Sequence, residues 1–327
     1  MNLGIIGSGM IVKEFLPQLT KLEGMRVIAI QGTPARLQEN RQLCARYNVE
    51  HAVSDFKELI ELDIDTVYIA VPNHLHFSYC KKALENGLNV IVEKPMTSNI
   101  KEALYLYELS KEKQCLLFEA VTTPYLKGFS KIQEWLPLIG DVKLVQSQFC
   151  QYSRRYDAFL RGEVLPVFDP EKSGGAMMDL NVYNLHMVVD LFGEPESYCY
   201  YANIENKIDT SGILEMTYPG FKAVCLGAKD CKGPRNTIIQ GTKGIITTSD
   251  SANIIGDVNL ELYDGTTMTF SGDSHDSRAI SEFEVFVSCI NEKDFSLCHK
   301  MLQKSIAVSR VQTRARIEAG IHFPADL

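Results

Sequence analysis

At 327 residues, with 45% hydrophobic and 23% charged side chains, the chain is long enough for two domains with sizeable cores. A net charge of -8 argues against general nucleic-acid binding, and no apolar run approaches the ~20 residues of a membrane span. The amino terminus lacks the basic, apolar and small-residue regions of a secretory leader. Nine cysteines, odd in number and without a C-x-x-C, read as reduced thiols of a cytoplasmic protein with no zinc or other metal site.

The chain opens on the apolar run 3–6, which empties into Gly7-Ser8-Gly9-Met10-Ile11 and a helical pattern. A strand, a glycine turn and a helix start make a pyrophosphate site. The first glycine permits the tight turn, the second leaves no Cβ before the phosphates, and the helix aims N–H groups at the anion. The third glycine of G-x-G-x-x-G would fall where Val12 stands, and Pro17 is expected to kink or shorten the helix. Short apolar runs at 27–30, 66–71, 90–92 and 116–119 alternate with helical stretches at 35–47, 56–61, 77–86 and 101–113. Asn86-Gly87 closes the third of these helices. The alternation predicts βα units on a parallel sheet.

After Thr123-Pro124 the pattern changes to a helix at 129–136 and alternating segments at 142–151, 197–204, 212–218, 223–229, 236–239 and 260–270. Turns are expected at Pro219-Gly220 and Asp264-Gly265, and helices at 277–289, opening on Ser277, and 297–318. The expected fold class is α/β: a doubly wound Rossmann domain over 1–121, then an α+β domain over 122–327 with a large, mostly antiparallel open sheet.

The second strand ends Gln31-Gly32-Thr33-Pro34-Ala35-Arg36, without the carboxylate that NAD-preferring sites place about 20 residues past the glycines. Gln31, Thr33 and Arg36 are therefore the candidate cofactor-selecting residues. Thr33 offers a hydrogen bond to a 2′-phosphate and Arg36 a planar fork, which favours NADP and leaves NAD open. Arg36 also reads as an ordinary exposed helix residue. Two clusters follow strands of the same sheet, Pro72-Asn73-His74-Leu75-His76 and Glu93-Lys94-Pro95, where open α/β sheets place their ligands. In the second half stands Ser173-Gly174-Gly175-Ala176-Met177-Met178-Asp179-Leu180-Asn181-Val182-Tyr183-Asn184-Leu185-His186.

In their order and spacing these motifs resemble the glucose-fructose oxidoreductase, inositol dehydrogenase and rhizopine-catabolism (Gfo/Idh/MocA) family over nearly the whole chain. Tyr183 is closest in pattern to the branch of dimeric dihydrodiol and xylose dehydrogenases. The resemblance implies an NADP- or NAD-dependent oxidoreductase moving a hydride between nicotinamide C4 and a hydroxyl or carbonyl carbon of a sugar, polyol or vicinal diol. It also implies a homodimer paired through the open sheet, a cis Lys94–Pro95 bond, and cofactor contacts from Pro72, Asn73, His76, Glu93 and Lys94.

Oxidising an alcohol carbon needs a group to take the hydroxyl proton. Lys94 suits this role if desolvation beside the oxidised nicotinamide lowers its pKa; the plainer reading is a solvated Glu93-Lys94 pair. Asp179 and Tyr183 lie four apart, on one helical face. Asp179 would orient the substrate or Lys94, and Tyr183 would pass the proton; an N-cap is the plainer reading of Asp179. His186 contacts substrate or is a satisfied core histidine. Arg154 and Arg155 meet an anionic substrate, the cofactor phosphates, or solvent. A cofactor-binding protein that no longer catalyses would keep this fold, but retention of Lys94, Asp179 and Tyr183 speaks against it.

Overall fold

The computed structural model describes residues 1–272 and 278–327. The chain forms two compact units, Met1–Ala120 with Ala279–Gln303, and Val121–Arg278 with Lys304–Leu327.

In the first unit β1 (Asn2–Ile6), β2 (Arg26–Gln31), β3 (His51–Val53), β4 (Thr66–Ile69), β5 (Asn89–Glu93) and β6 (Leu117–Ala120) form one sheet in the order β3-β2-β1-β4-β5-β6. Every pair is parallel. Strands covered by helices on both faces need apolar residues at successive positions. Accordingly Ile5, Ile6, Val67, Tyr68, Ile69, Val90, Ile91 and Val92 are fully buried. The connecting helices are α1 (Met10–Leu19), α2 (Leu37–Tyr47), α3 (Phe56–Ile60), α4 (His76–Glu85) and α5 (Ile100–Glu112).

Helix ends follow their local chemistry. Asp55 accepts from the N–H groups of Lys57 and Glu58, and Asn99 from that of Glu102. Gly87, at φ +76°, ends α4 while the Leu88 N–H donates to the Ala83 carbonyl. Pro17 sits in the last turn of α1, which stops at Leu19. Order reverses at β1, flanked by β2 and β4, so a crevice opens at the carboxyl ends of the strands there.

The described residues of the second unit form eight strands: β7 (Val142–Cys150), β8 (Ser197–Glu205), β9 (Ile208–Tyr218), β10 (Phe221–Ala228), β11 (Arg235–Gly241), β12 (Gly244–Thr248), β13 (Val258–Leu262) and β14 (Thr267–Phe270). Their order is β14-β13-β12-β11-β7-β10-β9-β8. Among the described residues only β7 and β10 pair in parallel. One face alternates Val145, Tyr200, Leu214, Met216, Cys225, Ile239 and Ile246 into a core with side chains of α6 (Lys127–Trp135) and α8 (Val182–Phe192). The short α7 (Tyr156–Leu160) packs Tyr156 and Phe159 against Phe168.

Two strands, β3 and β12, fall where no strand is expected, and the segment 260–270 breaks at the Asp264-Gly265 turn into β13 and β14. The chain returns to the first unit through α9 (Arg278–Glu292) and the start of α10 (Phe295–Glu318). The expected helix start at Ser277 lies outside the described residues. An uninterrupted second domain over 122–327 is thus replaced by one that yields 279–303 to the nucleotide half. The physical reason is aromatic: Phe283 meets Tyr68 edge-on at 5.2 Å, and Phe286 lies 4.9 Å from Phe118. Among the described residues no helix is long and apolar enough to cross a membrane.

Candidate active site

The glycine turn is built as its sequence demands. Gly7 takes φ +108°, and an added Cβ would lie 2.3 Å from the Ala70 carbonyl oxygen. At Gly9 an added Cβ meets nothing within 4 Å, so the room beyond it is open to a ligand. Gly9 is the N-cap of α1 and no side chain caps the helix, which leaves its first N–H groups for an anion. Met10 is exposed and Ile11 half-buried at the helix start, while Val12, in place of a third glycine, is fully buried.

Polar atoms without partners gather beside this turn. Ser8 Oγ, Gln31 Oε1 and both amide atoms of Asn40 are buried and make no hydrogen bond among the described residues, which native interiors seldom allow. A Cβ on Gly32 would sit 2.3 Å from Asn40 Nδ2 and 3.7 Å from Ser8 Oγ, so glycine lets Asn40 approach. The exposed Arg36 donates to the Ser8 carbonyl at 3.3 Å, and the exposed Thr33 spends no side-chain bond on capping. Open room, unclaimed donors and acceptors, and a guanidinium over the turn fit a dinucleotide.

On the same carboxyl edge, Pro72 is exposed and Asn73 half-buried at the end of the loop after β4. His76 is placed differently from its expected cofactor contact. Its ring is fully buried, with Nδ1 2.9 Å from the Pro95 carbonyl and Nε2 2.9 Å from that of Val71. In the neutral ring one nitrogen donates to its carbonyl and the other only lies beside the second, and the ring braces the loop after β4 against the turn after β5. Burial pushes the imidazole pKa down; the two carbonyls and Glu119 oppose this, and the Lys94 charge reinforces it. Glu93 accepts from the Tyr68 hydroxyl, Lys94 is half-buried, and the Lys94–Pro95 bond is cis. The Met96 N–H donates to Glu119 Oε1 at 2.8 Å and holds the far side of that turn.

In the second unit Gly174 and Gly175 serve the protein's own interior. A Cβ on Gly174 would lie 2.7 Å from the Pro166 carbonyl oxygen, and one on Gly175, at φ +103°, 2.0 Å from Asp209 Oδ1. The buried Asp209 then accepts from the Met177 N–H at 2.6 Å and the Tyr200 hydroxyl at 2.7 Å. Burial pushes its carboxyl pKa up, opposed by those two donors and by the charge of Lys229.

Met177–Asn181 is one wide π-helical turn ahead of α8, a feature often found at functional sites. Asp179 sits inside it, so the N-cap reading gives way, the N-cap position being Ala176. Its Oδ2 lies 2.5 Å from Lys229 Nζ. Asn184 Nδ2 donates to Asn181 Oδ1 and the Leu226 carbonyl, and its Oδ1 accepts from the Ser147 hydroxyl; these bonds pin the turn to β7 and β10.

Tyr183 is half-buried, its ring 6.2 Å from that of Phe149. His186 does not share that half-buried face. It turns inward, 1% exposed, with Nδ1 3.2 Å from Asp190. Arg154 and Arg155 are both exposed. Sequence reasoning overlooked Lys229, Asp209 and Asn40. Asn40 alone left a trace, spaced four from the buried Cys44 on an otherwise exposed helix.

A parallel sheet with an open glycine turn and an amine-bearing strand end fits a nicotinamide-dependent oxidoreductase. Comparison with known proteins agrees. Residues 1–121 match the Gfo/Idh/MocA oxidoreductase family model with its NAD-binding Rossmann fold, and residues 137–247 match the family's C-terminal domain. The chain is 32% identical, over its full length and 99% of the relative, to scyllo-inositol 2-dehydrogenase (NADP(+)) of Bacillus subtilis (strain 168). It is 27% identical to trans-1,2-dihydrobenzene-1,2-diol dehydrogenase of Xenopus tropicalis, over 74% of this chain and 73% of that one. A 3-ketoreductase from Actinomadura kijaniata, solved with NADP and TDP-benzene, shares the fold at a TM-score of 0.84, 20% identity and 99% coverage of both chains. The chain belongs to the Gfo/Idh/MocA family and is an NAD(P)-dependent oxidoreductase.

Proposed function

We propose that this oxidoreductase works with NADP(H) on a hydroxyl-bearing or carbonyl carbon of a sugar, polyol or vicinal diol. The observation that carries the reading is the place of Lys94, half-buried after β5 on the sheet edge where β1 delivers the glycine turn. When bound, the nicotinamide supplies the hydride acceptor or donor. Lys94 takes the hydroxyl proton in oxidation and returns it in reduction, Tyr183 donates or accepts a proton, and Asp179 orients the substrate. The first unit serves the cofactor and the second the substrate.

The want of an acid between Gln31 and Arg36, and the reach of Arg36 to Ser8, support NADP over NAD. The names of the two dehydrogenase relatives, one for an inositol and one for a diol, support the substrate class. Leu144, Tyr201 and Ile213 stand exposed on strands of the eight-stranded sheet and support pairing of two copies there. All nine cysteines are free, which supports a cytoplasmic setting.

Fluorescence titration with NADPH and NADH, followed by turnover of inositols, hexoses, pentoses and diols, tests this reading. Tighter binding of NADH overturns the NADP assignment, and NADPH binding without turnover of any member overturns the substrate class. Lys94→Ala is expected to cut turnover about a thousandfold with NADPH affinity retained. Unchanged turnover removes Lys94 from the chemistry. Light scattering is expected to give twice the chain mass.

A further inference from the structure

Lys229 follows β10 and is only 2% exposed, although a buried ammonium is costly unless paired and hydrogen-bonded. Its Nζ lies 2.5 Å from Asp179 Oδ2, 3.3 Å from the Val167 carbonyl oxygen and 4.8 Å from the centre of the Phe168 ring. Its backbone is fixed as well. The Lys229 N–H donates to the Thr210 carbonyl at 2.8 Å, and its carbonyl accepts from the Ser153 N–H at 2.8 Å.

The turn that carries Asp179 is also held by contacts other than the Lys229 ion pair. Asp209 grips the Met177 N–H, and Gln312 Nε2 donates to the Met177 carbonyl at 3.3 Å. Within this frame the two partners differ: the Asp179 side chain keeps 30% of its surface exposed, whereas that of Lys229 keeps 2%. A hidden anchor behind a reachable carboxylate is the arrangement of a support behind a working group.

We infer that Lys229 is a positioning residue that fixes the direction of the Asp179 carboxylate toward the substrate. This rests on the reading above in which Asp179 works on the substrate.

The test is a double-mutant cycle in the full-length enzyme, using the substrate of highest turnover in the panel and NADPH as the binding probe. Lys229→Met is expected to lower kcat about 10- to 100-fold, the range typical of supporting partners, with little change in KM or in NADPH affinity. Lys229→Arg, which keeps the charge, is expected to recover part of that loss. It also provides the measurement if Lys229→Met fails to fold. Combined with Asp179→Asn, either change is expected to cost little more than Asp179→Asn alone, because the group being positioned is already gone.

Unchanged kcat in Lys229→Met, or losses that multiply in the double variants, overturn the role of Lys229 and leave Asp179 standing. Unchanged kcat in Asp179→Asn overturns both.

Discussion

Gly7 and Gly9 in the first unit, and Gly174 and Gly175 in the second, look alike as sequence signals and do different things. Gly7 makes room for a neighbouring strand's carbonyl, and Gly9 leaves room that the protein does not fill. Gly174 and Gly175 leave none: backbone of Pro166 and Val167 and the carboxylate of Asp209 occupy every direction in which a methyl group would point. One pair shapes a turn with open room beside it; the other shapes the interior that carries Asp179. A glycine pair is therefore read by what stands where its missing side chain would be.

The comparison breaks or sharpens by substitution. Gly7→Ala carries the largest penalty, about 4 kcal/mol in urea denaturation, because it meets an unyielding backbone oxygen at positive φ. Gly175→Ala is expected to cost about 3 kcal/mol in the same measurement, since a side chain gives way more easily than backbone. Gly9→Ala is expected to cost under about 1 kcal/mol of stability yet weaken NADPH binding at least about tenfold, read by fluorescence titration. Equal losses of stability at Gly9 and Gly175 would erase the distinction. Arg36→Ala is expected to weaken NADPH about tenfold and leave NADH nearly unchanged.

The smallest effect concerns the brace between the two ligand-side loops. Burial holds the His76 pKa below 6.5 in the folded protein, so the unfolded ring gains a proton that the folded ring refuses. Stability therefore falls as pH drops below 6.5, and His76→Gln is expected to flatten that part of the curve in thermal melts across pH.

Much of this was legible in the residues. The buried runs of β1, β4 and β5 read as parallel strands because both faces are covered, and Gly7 and Gly9 read as the turn that opens α1. β3 escaped because His51–Val53 is three residues long with His51 exposed, and so carries no period. β12 escaped because Gly244–Thr248 alternates buried and half-buried residues without a polar face. At the site, spacing brought His76 and His186 forward as candidates, but spacing does not say which ring nitrogens the interior consumes. Lys229 was invisible for a related reason: a lysine closing the expected strand 223–229 reads as a solvated end, and only the fold turns it inward against Asp179.

The return of α9 to the first unit bears on how the polypeptide is made. Tyr68 and Phe118 are among the early residues to leave the ribosome, yet the rings that meet them, Phe283 and Phe286, are synthesised near the end. Until then the nucleotide half exposes an apolar flank, open to chaperones and to aggregation. A fragment cut after residue 121 keeps that flank bare, so the half that appears self-contained in the chain needs its distant helix to be finished.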